Sequence, residues 1–268
     1  MDTGIDVDNP EFEGKIDFDN SHSYFVGDPK DISEPFGSSS ASHGTHVARI
    51  AAARKDGEGI HGVAFESELV IFKGINARNR DADFAPTDSS IWALAIDDSI
   101  DAGAHVMNNS WGPISIIDDT EVTLLITTFM NPSSLKTYLR PETIVALDRA
   151  VDNDLMIVFG AGNSSLPEVS VNAGIPVVLP EYKGHFIAVV AVDVDRVDEE
   201  NIKIADYSNH CGLAQDFCLA APGDVRVYHD NGHGYALLPG TSFAAPHVTG
   251  AYAVLKSQWP DLTAPVIA

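Results

Sequence analysis

The sequence is poor in basic residues. Only 16 lysines and arginines stand against 39 aspartates and glutamates in 268 residues, which gives a formal net charge of −23. A charge of that sign is repelled by the phosphates of nucleic acids and by anionic membranes, so neither is expected as a partner. An acidic surface is more typical of a well-solvated protein.

Long apolar runs and a leader pattern are also missing. No stretch approaches the roughly 20 apolar residues that span a bilayer, and the first residues, MDTGIDVDNPEFEGKID, lack the basic start and apolar middle of a signal peptide. The hydrophobic content of 44% is nevertheless ordinary for a globular core. Because the sequence contains no repeat, low-complexity tract or clear linker, residues 1–268 are expected to form a single domain.

Cysteine is scarce: Cys211 and Cys218 are the only two, with six residues between them. That spacing is too wide for a CxxC redox motif, and no second pair completes a zinc site. Two buried thiols and a short disulfide both fit the spacing. The disulfide is the better functional interpretation, and it would indicate an exported protein.

Short apolar runs alternate with longer amphipathic ones, which is typical of an α/β fold with a mostly parallel sheet. The pattern predicts helices over about 43–54, 88–102, 141–152 and from about 242, and strands at 69–73, 104–110, 155–162 and 186–193. Catalytic groups in such sheets collect where strands end. Four motifs lie at strand ends or helix starts, namely DTGID, SHGTHVA, FGAGNSS and GTSFAAP.

The stretch GTSFAAPHVTG, residues 240–250, leads a hydroxyl-rich turn straight into an apolar helix. Taken alone it fits either a helix N-cap or a nucleophile at a helix start, where the dipole favours negative charge. A serine nucleophile needs a base within reach and a third group to orient that base. Ser242, His43 and Asp2 supply one of each, although each alone would be an ordinary cap or turn residue.

Together the four motifs resemble the subtilisin-like serine peptidase family (S8). The family's Asp, His and Ser motifs correspond to residues 2–6, 43–48 and 240–246, in the family's chain order, and its A-G-N motif corresponds to residues 161–163. The resemblance implies a three-layer αβα fold with a mostly parallel central sheet. It also implies a serine endopeptidase that works through an acyl-enzyme intermediate and requires no cofactor or metal.

The resemblance assigns a role to each motif residue. Ser242 would attack the scissile carbonyl, His43 would take and return the proton, and Asp2 would orient the imidazole. The Asn163 amide and the Ser242 N–H would hold the oxyanion. Contacts to an extended peptide substrate are expected from Ser110, Trp111, Gly112, Ala161 and Gly162. Trp111 either narrows the specificity pocket or packs inside the protein.

The segments YSNHCGLAQDFCLAAPG and NNSWG are similar to the peptidase passenger domains of bacterial autotransporters. This similarity implies protein or peptide substrates, a secreted or cell-surface location in bacteria, and a C-terminal outer-membrane barrel beyond residue 268. We expect a monomer.

The main alternative is an inactive peptidase fold that serves as a binding or adhesive module. A lipase-type hydrolase is disfavoured, because Ala244 replaces the last glycine of the GxSxG elbow.

Two features depart from the family's pattern. The family's catalytic Asp ends a strand inside the sheet, whereas only Met1 precedes Asp2. The first strand is therefore expected to be missing, and the chain to be truncated at both ends. Arg49 stands where relatives often carry a small residue, so it needs either an acidic partner or an exit to the surface.

Metal sites are weakly indicated. The acidic loops 19–31, 81–88 and 192–201 allow a calcium ion, but none follows the EF-hand pattern. His46 follows His43 by three positions, without the intervening glutamate of zinc helices, and is expected to be a packed helix residue.

Overall fold

Strands and helices alternate along the chain in the computed structural model, which describes residues 1–34, 42–75, 89–112, 131–193, 202–228 and 235–268. The strands are β1 His22–Ser23, β2 Phe72–Lys73, β3 Val106–Asn109, β4 Met156–Gly160, β5 Phe186–Val192, β6 Cys218–Pro222, β7 Asp224–Tyr228 and β8 Tyr235–Pro239. The helices are α1 His43–Ala52, α2 Ser89–Asp101, α3 Pro132–Asp152, α4 Ile175–Val178, α5 Thr241–Gln258 and α6 Ala264–Ile267. Within these ranges, none of the helices combines the length and the apolar character needed to cross a bilayer.

The central sheet contains four parallel strands in the order β3-β4-β5-β6. Ile157 and Phe159 of β4 share a core cluster with residues of α2 and α3, whereas Met156 and Val158 share another with residues of α5. Successive side chains of a strand point to opposite faces, so both faces of β4 are buried beneath helices. The predicted αβα sandwich is therefore confirmed.

The sheet is interrupted on the far side of β3. There, β1 and β2 form a separate two-stranded parallel sheet. Between β2 and β3 lies a cavity of about 510 Å³, which we call the slot. It is lined by Met1, Asp2, residues 69–72 and 102–108, and small side chains of α1 and α5. Asp2, before which the family's pattern places a strand, is among the residues that line the slot.

Helix α3 starts nine residues earlier than the predicted 141–152 helix, since it begins at Pro132. The Asn131 side chain caps this start by accepting a hydrogen bond from the Ser133 N–H. The helical path breaks at Arg140 (φ 62°, ψ 157°), because a residue before a proline, here Pro141, is disfavoured in the helical region. Strand β6 and the antiparallel hairpin β7–β8 were not predicted.

Arg49 faces inward and is buried, and it has the acidic partner that its position requires. Its Nη2 donates to Oε1 of Glu11 at 2.7 Å, and its Nε donates to the other carboxylate oxygen. This two-point contact is the geometry in which a buried guanidinium keeps its charge. The contact ties α1 to the segment that follows the DTGID motif.

Candidate active site

Asp2 and His43 meet beside the slot. The Asp2 main chain is fixed to β2, because its N–H donates to the Phe72 carbonyl (2.9 Å) and its carbonyl accepts from the Gly74 N–H (3.1 Å). Its Oδ1 lies 2.7 Å from Nδ1 of His43 and accepts from the Thr3 N–H at 2.8 Å. An ionised carboxylate can only accept, so this contact favours the tautomer that carries its proton on Nδ1. Nε2 is then the basic nitrogen.

The start of α1 approaches the Asp-Thr-Gly turn closely because residue 44 is glycine. A Cβ atom at Gly44 would lie 2.2 Å from the carbonyl oxygen of Gly4, which no side chain could tolerate. The Gly44 N–H donates instead to Oγ1 of Thr3 at 2.9 Å. This main-chain approach holds His43 within reach of Asp2.

Ser242 lies in the first turn of α5, half-buried, and is held by two contacts with Ser110. Four residues on, Pro246 has no N–H to donate to the Ser242 carbonyl, which therefore lacks its helical partner. The Ser110 hydroxyl supplies the missing donor at 2.6 Å. In return, the Ser242 hydroxyl donates to the Ser110 carbonyl at 3.0 Å. The proline of the motif thus leaves a carbonyl through which Ser110 can position the serine.

Asn163 is clamped through its side-chain oxygen. The Thr241 N–H and hydroxyl both donate to Oδ1 of Asn163, at 2.8 Å and 2.9 Å. With its oxygen occupied, the exposed amide has its NH₂ group available as a donor. The Phe243 N–H is taken by the Gly240 carbonyl. The Ser242 N–H lies between the N–H groups of Thr241 and Phe243. Among the described residues it has no hydrogen-bond acceptor, as is usual at a helix N-terminus.

The expected substrate-contacting residues divide into two groups. The Trp111 ring is buried against Trp92 and Phe159 in edge-to-face contacts, so of the two interpretations the structure favours packing. The main chain of Ala161 is used internally by Val189, Ser170 and Asn209, and that of Gly162 by Thr241 and Asn209. The N–H groups of Ala161 and Gly162 are therefore already bonded inside the protein, and a contact of these two residues with a peptide stays a prediction. Ser110 and Gly112 stay candidates for that contact.

Cys211 and Cys218 form a disulfide across the 3₁₀ turn Gly212–Phe217. Shortly before it, Asn209 uses its Oδ1 to accept from the N–H groups of Ser164 and Leu166, at 2.9 Å and 3.2 Å. The cystine-containing loop thus lies next to the segment that immediately follows Asn163.

His46 is a packed helix residue, as expected. It is 3% exposed, and burial together with the charges of Arg49 and His43 lowers its pKa to about 4. Across the described ranges, no group of three or more His, Cys, Asp or Glu side chains could hold a metal ion. Residues 81–88 and 194–201 lie outside those ranges, so calcium in these acidic loops stays a prediction.

A carboxylate, an imidazole, a serine at a helix start and a clamped amide are the parts of a serine hydrolase site. The model of the subtilase family, peptidase family S8, matches residues 1–268. The chain belongs to the subtilase family.

Curated relatives of this subtilase include bacterial proteins, one of which is named as extracellular. Serotype-specific antigen 1 of Mannheimia haemolytica is 37% identical over 180 residues, which is 65% of this chain and 18% of the antigen. An extracellular serine protease of Serratia marcescens is 28% identical over 313 residues, which is 98% of this chain and 28% of the protease. The chain therefore spans less than a third of the length of either relative.

Solved structures support the fold of this subtilase. The S41 psychrophilic protease superposes with a TM-score of 0.69 at 24% identity, over 100% of this chain and 78% of the protease. Fervidolysin of Fervidobacterium pennivorans superposes with a TM-score of 0.66 at 25% identity, over 98% of this chain and 36% of fervidolysin.

Sequence reasoning missed the contacts that position the residues of this subtilase's site. Thr3 connects the Asp turn to α1, Thr241 clamps Asn163, and Ser110 bonds to Ser242 in both directions. Thr3 and Thr241 lie beside motif residues, so a search for hydroxyls next to the motifs could have found them. The Ser110 hydroxyl has no such signal, because it meets Ser242 across 132 positions of sequence.

Proposed function

We propose that this subtilase is a serine endopeptidase that cleaves peptide bonds through an acyl-enzyme. The observation that carries the proposal is the 2.7 Å contact between Asp2 Oδ1 and His43 Nδ1, which makes Nε2 the base. The His43 ring also packs against Phe243, the neighbour of Ser242, with ring centroids 5.6 Å apart. The base therefore lies beside the start of α5, the helix that carries the proposed nucleophile.

In the first half of the reaction, the Ser242 hydroxyl turns from the Ser110 carbonyl toward His43. Its proton passes to Nε2 as Oγ bonds to the scissile carbonyl carbon, and Asp2 stabilises the imidazolium. The resulting oxyanion accepts hydrogen bonds from the Ser242 N–H and the Asn163 amide. The intermediate collapses, the C–N bond breaks, and the leaving amine takes the proton from His43.

In the second half, water replaces the amine. His43 takes a proton from the water as the water oxygen attacks the acyl carbon, and the same two donors hold the second oxyanion. Cleavage of the bond to Oγ releases the new carboxyl end of the peptide, and the proton returns to Ser242. The site ends as it began, so the reaction requires no cofactor.

Protein or peptide substrates fit a site at the end of β3. Residues 110–112 follow the end of β3, where an extended peptide can add by main-chain hydrogen bonds of low sequence selectivity. A secreted or cell-surface location is supported by the disulfide and by the relative that is named as extracellular. The C-terminal outer-membrane barrel expected from the sequence, which would export the enzyme, stays part of this proposal. An inactive binding module gains no support, because the curated relatives include serine proteases and Asp2 lies in contact with His43.

The test is hydrolysis of an internally quenched peptide with both ends blocked, which only an endopeptidase can cleave. The wild-type chain should cleave it, and Ser242→Ala should reduce the rate by a factor on the order of 10⁴ or more. Ser133→Ala, at an exposed position in the first turn of α3, is the matched control and should cleave the peptide at the wild-type rate. Equal rates in Ser242→Ala and wild type would contradict the proposal, as would cleavage confined to peptides with free ends.

A further inference from the structure

Tyr207 lies between the two segments that carry the proposed oxyanion donors. Its main-chain carbonyl accepts a hydrogen bond from the Ser165 N–H at 3.0 Å, and Ser165 comes two residues after Asn163. Its hydroxyl accepts a hydrogen bond from the Gly240 N–H, also at 3.0 Å, and Gly240 comes two residues before Ser242. One residue is thus bonded to both segments, at the same separation in sequence from each donor.

The turn that carries Tyr207 is anchored to strand β5. The Ala205 N–H donates to the Ala191 carbonyl at 2.9 Å, and the Ser208 hydroxyl accepts from the Ala191 N–H at 3.0 Å. Ala205 and Ser208 are buried, and Tyr207 packs against the core cluster that β4 and β5 share with α5. The central sheet therefore determines where the Tyr207 hydroxyl lies.

The residues before Ser242 leave a hairpin that is separate from the central sheet. Strands β7 and β8 form a two-stranded sheet of their own, and Gly240 directly follows β8. The Gly240 N–H is shared between the Tyr207 hydroxyl and the Gly223 carbonyl, each at 3.0 Å. The Gly223 N–H in turn donates to the Val192 carbonyl of β5 at 3.2 Å. Two acceptors thus fix the end of the hairpin to the central sheet.

Gly223 leaves the space that the Tyr207 hydroxyl occupies. A Cβ atom at residue 223 would lie 2.6 Å from the hydroxyl oxygen and 2.3 Å from the Cβ of Ala191, so only glycine fits there. The hydroxyl also has an acceptor of its own, because it donates to Oδ1 of Asp224 at 3.3 Å. With its proton directed to Asp224, the hydroxyl presents a lone pair to the Gly240 N–H.

We propose that Tyr207 is a positioning residue that sets the distance between the Asn163 amide and the Ser242 N–H. This role rests on the proposed function, in which both donors lie about 2.7–3.1 Å from one oxyanion and their spacing has little tolerance. Thr241 holds the amide by its oxygen, whereas Tyr207 holds the main chain that carries each donor. Loss of the hydroxyl releases the Gly240 N–H and moves the Ser242 N–H away from that spacing.

Tyr207→Phe removes the hydroxyl and keeps the ring. We expect kcat for the internally quenched peptide to fall about tenfold while KM changes by less than about twofold, because a displaced donor is felt only in the transition state. Tyr252→Phe on α5 is the matched control: its buried hydroxyl has no hydrogen-bond partner among the described residues, so kcat should stay unchanged. An unchanged kcat in Tyr207→Phe, or a loss confined to KM, would overturn the proposal.

A double variant separates positioning from a general loss of structure. In Asn163→Ala one donor is absent, and the spacing between the donors no longer matters. Adding Tyr207→Phe should then lower kcat by less than about threefold, since the two substitutions act on the same oxyanion. A loss of about tenfold in both backgrounds would show that Tyr207 acts independently of the amide, and would overturn the proposal.

A peptide trifluoromethyl ketone measures oxyanion binding directly. Oγ of Ser242 bonds to the ketone carbon, the hydroxyl proton passes to His43, and the ketone oxygen becomes the oxyanion. The affinity for this inhibitor should fall about tenfold in Tyr207→Phe, in step with kcat. Failure of the wild type to form the adduct would contradict the proposed function.

Amide hydrogen exchange tests the Tyr207 contact without any need for activity. The Gly240 N–H should exchange about fivefold faster in Tyr207→Phe than in the wild type, because it has lost one of two acceptors. An unchanged exchange rate would overturn the assignment of Tyr207 whether or not the protein is a peptidase. If Tyr207→Phe fails to fold by circular dichroism, Asp224→Ala, which removes the acceptor of the hydroxyl, should change kcat, inhibitor affinity and Gly240 exchange in the same directions.

Discussion

The two halves of the molecule differ in how their sheets are completed. In the four-stranded half, β4 and β5 are buried along their whole length, with helices on both faces. In the two-stranded half, β1 and β2 are separated from that sheet by the slot. Ser242 and Asn163 belong to the first half, whereas Asp2 and His43 belong to the second. The catalytic geometry therefore depends on how firmly α1 packs against α5, where Val47 and Ile50 share a core cluster with Phe243.

The largest effect is expected in the two-stranded half, from Asp2→Asn. An amide cannot stabilise the imidazolium, and it favours the wrong tautomer of His43, so kcat should fall about 10⁴-fold. The rate of peptide hydrolysis measures the loss. Asp8→Asn, in the same segment but outside the site, should leave kcat unchanged. A loss below tenfold in a folded Asp2→Asn protein would show that Asp2 has no catalytic role.

In the four-stranded half, Asn163→Ala should lower kcat by about 10²–10³ while KM changes little. The reason is that the amide bonds to an oxyanion present only in the transition state. Steady-state kinetics separates the two constants, with the exposed Asn153→Ala as control. An effect confined to KM would mean that Asn163 binds substrate and does not hold the oxyanion.

His46, on α1 beside the two-stranded sheet, should make the free energy of unfolding fall in acid. Its pKa of about 4 in the folded protein lies below the ordinary 6.5, so the unfolded state binds the proton more tightly. The stabilisation is therefore complete above pH 6.5 and is lost as the pH falls toward 4, by about 3 kcal/mol in all. Denaturant unfolding from pH 7 to pH 4 measures this. In His46→Gln the free energy of unfolding should fall by about 3 kcal/mol less over the same pH range, and an equal fall in both proteins would refute the assignment.

A smaller contrast compares two valines. Val158 is fully buried on β4, so Val158→Ala should cost about 2 kcal/mol in the free energy of unfolding. Val70 borders the slot and is only half-buried, so Val70→Ala should cost less than about 1 kcal/mol. Urea unfolding of both variants provides the comparison. Equal costs would show that the slot region is packed as tightly as the central sheet.

Much of the fold could be predicted, because long buried strands leave uninterrupted apolar runs. The runs around 155–162 and 186–193 predicted β4 and β5, with ends displaced by two residues at most. The early start of α3 was missed because the break at Arg140 divides its periodicity.

The site was predicted as a set of residues but not as a geometry. The motifs named Asp2, His43 and Ser242, since each carries a local pattern. The supporting contacts depend on pairs far apart in sequence, such as Arg49 with Glu11 across 38 positions. Local patterns hold no record of such pairs, so Arg49 could only be assigned an unspecified acidic partner.

The most direct test of the central claim is to map the adduct of a fluorophosphonate probe by mass spectrometry of the digested protein. The account predicts a single adduct, on Ser242, that forms at least 10³ times more slowly in His43→Ala. An adduct on another serine, or an equal rate in His43→Ala, would contradict the claim that the two halves join to form one catalytic site.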